Sequence, residues 1–93
     1  MMEKLTKQEE EVMLHVWKLG SCTTKEILQQ LDEPRPPYTT IASVMNNLKR
    51  KGYLNAEQHG LTYHFSPRIG QSEYKSDFMR SFVSNYFKNS FRE

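Results

Sequence analysis

Between residues 35 and 54 the chain reads RPPYTTIASVMNNLKRKGYL. Thr39, Ser43, Asn46 and Arg50 recur three or four residues apart, with Thr40 and Asn47 on one flank. At about 100° per residue this row falls opposite Ile41, Val44, Met45 and Leu48, so a helix here carries an apolar stripe on one side and hydroxyls, carboxamides and a guanidinium on the other. Such groups read base edges or hold phosphate: carboxamides suit adenine, Arg suits guanine or phosphate, and hydroxyls and methyls suit phosphate or thymine. Tyr38, Thr39 and Thr40 open the segment, where free backbone amides and the positive end of the helix dipole favour a phosphate. A polar helix face can also do no more than meet solvent, so the case for nucleic acid needs support from charge and element order.

Charge supplies part of it. The 93 residues carry a net +2, but residues 1–34 hold −3, residues 35–70 hold +4 and the remainder +1. A basic zone on a nearly neutral chain points to one polyanion-facing side. Within it Lys49, Lys51 and Arg68 have no acid close in sequence, and we expect them to contact phosphate.

Other chemistries find little support. His15, His59 and His64 are too scattered for a metal-ligand set, and none lies beside Cys22 at ligand spacing. No nucleophile and base are paired and no glycine loop could cradle phosphates, so neither an enzyme, a metal nor a cofactor is expected. The single Cys22 forms no intrachain disulfide, and the charged start MMEKLTKQEEE is no signal peptide, so a soluble, cytoplasmic protein is expected.

The elements that position the polar face can be placed in order. Thr6 and Glu9 form a capping-box pattern ahead of Val12, Met13, Val16, Trp17 and Leu19, whose spacing predicts a first helix with these residues on its buried side, stopped by Gly20. Thr23 and Glu26 repeat the box before a shorter helix that buries Ile27, Leu28 and Leu31. Three prolines at 34, 36 and 37 bar any helix until Tyr38, and Gly52 ends the third. Extended segments over 53–58 and 61–66, around a turn at His59 and Gly60, predict a hairpin in which Leu61, Tyr63 and Phe65 share a face. The expected fold is mainly α with a small β-hairpin, a winged helix-turn-helix over 1–70, followed by a helix over 71–93. That last helix carries Tyr74, Phe78, Phe82, Val83, Tyr86 and Phe87 over too wide an arc for one buried stripe, so we expect it to meet a second subunit.

Three blocks, TKQEEEVMLHVW at 6–17, PYTTIASVMNNLKRKGYL at 37–54 and GLTYHFSP at 60–67, resemble the signature blocks of the BlaI/MecI/CopY penicillinase-repressor family. The resemblance covers residues 5 to about 75. It implies a bacterial transcriptional repressor that binds double-stranded operator DNA as a homodimer. It also implies relief by proteolysis of the dimerisation region, signalled by a membrane sensor protease that detects a β-lactam, or relief by metal. The chain departs from the family in two places: Leu61 stands where the wing usually has a basic residue, and the copper-type cysteine cluster is absent. The alternative reading is a winged helix that binds an acidic protein partner without sequence-specific DNA binding.

Overall fold

The computed structural model describes residues 3–76. Its elements run α1 (Lys7–Leu19), α2 (Thr24–Gln30), α3 (Tyr38–Arg50), β1 (Leu54–His59) and β2 (Thr62–Pro67). Residues 71–76 are again helical. This is the helical domain with an antiparallel hairpin that the sequence predicts.

Both capping boxes form. Thr6 Oγ1 accepts from the Glu9 amide at 3.2 Å while Glu9 Oε1 accepts from the Thr6 amide at 2.9 Å, and Thr23 and Glu26 repeat the exchange at 3.2 and 2.8 Å. Each box satisfies two amides that a helix start otherwise leaves open. The end of α3 is a Schellman turn: the Gly52 amide donates to the Lys49 carbonyl and the Tyr53 amide to the Leu48 carbonyl. Gly52 has φ +87°, a conformation that a Cβ would strain.

Val12, Met13 and Val16 of α1, Ile27 of α2, Ile41, Val44, Met45 and Leu48 of α3, and Tyr53, Leu54 and Phe65 form one core. Four side chains of α3 are therefore buried together. Burying each contributes about 1.5–3 kcal/mol, so turning α3 about its axis would cost several such terms. That burial holds Thr39, Ser43, Asn46 and Arg50 outward. Leu28 and Leu31 pack against the core only in part, and Leu19, expected on the buried side, ends α1 with 37% of its surface exposed.

The hairpin is displaced by one residue from its expected position. His59 pairs with Thr62, so Gly60 and Leu61 make a two-residue turn and Leu61 lies in the turn, outside the strand. Such a tight loop needs positive φ at its first position, which Gly60 supplies at +65°. Leu61 is fully exposed, Tyr63 is half exposed, and only Phe65 of the expected apolar row is buried. The turn after α1 also does more than connect. Cys22 and Phe65 exchange both backbone hydrogen bonds, at 2.8 and 2.7 Å, which docks the α1–α2 junction onto the hairpin.

Candidate nucleic-acid interface

The face built on α3 begins without a side-chain cap. Pro37 has no side-chain donor or acceptor to offer, and its carbonyl receives the amides of both Thr40 and Ile41. The amides of Tyr38 and Thr39 are left directed to acceptors outside the helix. Tyr38, Thr39, Ser43, Asn46, Asn47, Lys49 and Arg50 are exposed and Thr40 is half-buried on the flank. One contact within the face orders it: Arg50 Nη2 donates to Asn47 Oδ1 at 3.2 Å. The guanidinium is thereby drawn to the Asn47 flank while its remaining donors stay open.

Gln8, which sequence reasoning missed, joins this face. It lines a shallow groove with Thr39, Thr40, Ser43, Val44 and Asn47, because α1 packs its first turns beside the start of α3. No spacing rule links residue 8 to residues 39–47, so the sequence held no signal for it.

The three flanking cations have different surroundings. Lys49 and Arg68 are exposed, and among the described residues neither pairs with a carboxylate. Lys51 does not stand apart from acids as expected. Its Nζ lies 2.6 Å from Glu9 Oε1 and donates to the Lys4 carbonyl at 3.1 Å, with only 14% of its side chain exposed. Glu9 itself is 4% exposed. Burial acts to raise its pKa, but the hydrogen bonds from Lys51 and Thr6 and the ammonium charge outweigh that and hold it below the ordinary 4.5. The sequence did signal the burial of Glu9, though not its partner, because Glu9 lies three and seven residues before Val12 and Val16, on the buried face of α1.

Behind the face, three aromatic rings join the next segment to the domain. Tyr74 packs between Trp17 and Tyr53, with ring centroids 5.4 and 5.9 Å away, and its hydroxyl donates to Glu10 Oε2 at 2.7 Å. Trp17 Nε1 donates to the Ile69 carbonyl at 2.8 Å. Burial, with Glu10 beside it, pushes the Tyr74 hydroxyl well above its usual pKa. Tyr74, expected at a subunit contact, thus packs on its own chain. Phe78, Phe82, Val83, Tyr86 and Phe87 lie outside the described residues.

A profile of the penicillinase repressor family matches residues 5–93. The chain belongs to this family. The family is one of transcriptional repressors, not enzymes. The chain is 27% identical over 88 residues to the penicillinase repressor of Bacillus licheniformis, covering 94% of this chain and 69% of that one. An uncharacterized 16.5 kDa protein of Latilactobacillus sakei is 28% identical over 71 residues, covering 75% of this chain and 49% of its own length. Among solved structures, the DNA-binding domain of the repressor BlaI superposes with a TM-score of 0.67 at 30% identity, over 80% of this chain and 94% of that one. The monomeric form of Bacillus licheniformis BlaI in complex with the blaP half-operator superposes with a TM-score of 0.64 at 29% identity, over 80% and 92%. This family member shares the winged-helix fold of those domains. Among its described residues no helix is long and apolar enough to cross a membrane.

Proposed function

We propose that this chain is a bacterial transcriptional repressor that binds double-stranded operator DNA as a homodimer, with α3 in the major groove. The observation that carries this reading is the exposed row of Thr39, Ser43, Asn46 and Arg50, held outward by the buried stripe of the same helix. The uncapped start of α3 supports it, as a place for a backbone phosphate at the groove edge. So does the likeness to a BlaI form that was solved on a half-operator, since one domain to one half-site is what a dimer on a two-fold site requires.

In this reading Tyr38, Thr39, Thr40 and Asn47 border the groove, Ser43, Asn46 and Arg50 face the bases, and Lys49 and Arg68 meet phosphate. Dimerisation belongs to the apolar residues of 78–91, among them Phe82 and Tyr86. Cleavage of the dimerisation region by a membrane sensor protease, in response to a β-lactam-type signal, then relieves repression by separating the two half-site readers.

Anisotropy with duplexes selected from a random pool tests the reading. Asn46→Ala and Arg50→Ala should each weaken the selected site by about 1–3 kcal/mol while the fold persists. Sedimentation should show a concentration-dependent dimer that Phe82→Asp or Tyr86→Asp converts to folded monomers. Unchanged affinity in both α3 variants, or binding to duplex that ignores salt, would overturn the assignment of α3 to the groove.

A further inference from the structure

Residues 54–67, the hairpin wing, contain no Lys or Arg, and their one acid is Glu57. With neutral imidazoles the wing therefore carries −1, a sign that repels a phosphate backbone. With His59 and His64 both protonated it carries +1. The register brings these groups together: Glu57 is directly opposite His64, and His59 lies diagonally from His64, beside the turn. The two rings have centroids 4.7 Å apart, and His59 Nε2 lies 2.9 Å from Glu57 Oε1. Strand alternation sets them on the face opposite buried Leu54 and Phe65, away from α1, α2 and α3, which pack against the hairpin. Apart from Glu57, no charged group of the described residues pairs with either ring.

We propose that His59 and His64 form the phosphate-binding site of the wing and that they hold the DNA backbone in their protonated form. This inference rests on the DNA-binding reading above. Two imidazoliums this close repel each other in the free protein. Glu57 offsets that on one side, and a backbone phosphate at the tip offsets it on the other, so DNA binding draws protons onto the pair. The sign follows from linkage: a group whose pKa rises in the complex strengthens binding at low pH, and the gain is lost as pH rises through the bound-state pKa. Histidine is the side chain whose charge changes across the neutral range, so the measurement runs from about pH 6 to about pH 7.5.

The test is anisotropy of the full chain on a duplex selected from a random pool, at fixed ionic strength, across that range. Wild type should bind roughly fivefold more tightly at the low end, with a log–log salt slope steeper by about one unit. His59→Gln/His64→Gln should lose both effects. His15→Gln, on α1 in a separate cleft with Glu11 and Asp32, should keep them, and His59→Lys should bind at the high end as wild type does at the low end. Equal pH dependence in wild type and the double variant, or none in wild type, would overturn the proposal while DNA binding stands. Absence of binding to any duplex at either pH would overturn the DNA-binding reading together with it.

Discussion

Replacing Lys51 with Met separates a role in the fold from a role on DNA. Its ammonium is 2.6 Å from Glu9 Oε1, and the side chains of the pair are 14% and 6% exposed. The variant leaves the Glu9 carboxylate buried, with the backbone amide and hydroxyl of Thr6 as its remaining partners. Breaking a fully buried pair from one side costs about 3–5 kcal/mol. Lys51 keeps some water contact, so we expect about 2–3 kcal/mol, a fall in Tm of roughly 10–20 °C for a domain this small. Glu9→Gln should cost less, because an amide is cheaper to bury uncompensated than a charge. Glu9→Gln/Lys51→Met should cost less than the sum of the two single changes, with a coupling of about 1–2 kcal/mol. Because the folded pKa of Glu9 is depressed, its contribution is present above the unfolded value near 4.5 and is lost as pH falls through the folded value. The gap between wild type and Glu9→Gln should therefore close at acid pH. Urea unfolding followed by Trp17 fluorescence, together with the salt slope of DNA binding, measures both roles. A wild-type midpoint for Lys51→Met combined with a salt slope flattened by about one unit would refute the reasoning and return Lys51 to the phosphate backbone.

Lys49→Gln and Arg68→Gln should leave the unfolding midpoint unchanged and each flatten the salt slope by about one unit without changing which sequence is preferred, as competition binding would show. Cys22 is buried, and burial with the nearby Glu26 charge pushes its thiol up to about 11, so iodoacetamide should label it at neutral pH only through opening of the domain. Rapid labelling of the folded protein would contradict this. Tyr74→Ala removes the ring between Trp17 and Tyr53 and should cost about 2–3 kcal/mol with a red shift of Trp17 emission. An unchanged spectrum would mean that this segment does not rest on α1 in solution.

Much of this molecule follows from local rules that the chain states directly. Thr6 with Glu9, Thr23 with Glu26, the prolines before Tyr38 and the glycine at 52 mark helix ends by side-chain and backbone chemistry acting over three or four residues, and the structure places each end there. The polar row of α3 was equally legible, because a 3.6-residue period fixes which side chains share a face once the apolar stripe is buried. The hairpin came out one residue off because strand pairing depends on turn geometry. Only the two-residue turn at Gly60 and Leu61 decided which side chains leave the sheet. Three further features join residues that no local period connects, and packing alone decided them. They are the Glu9–Lys51 pair, the docking of Cys22 on Phe65, and the Trp17, Tyr53 and Tyr74 cluster. Periodicity tells which face of an element is buried, but the element it is buried against, and so the partner of a buried charge, is set by how the helices and hairpin close on a common core.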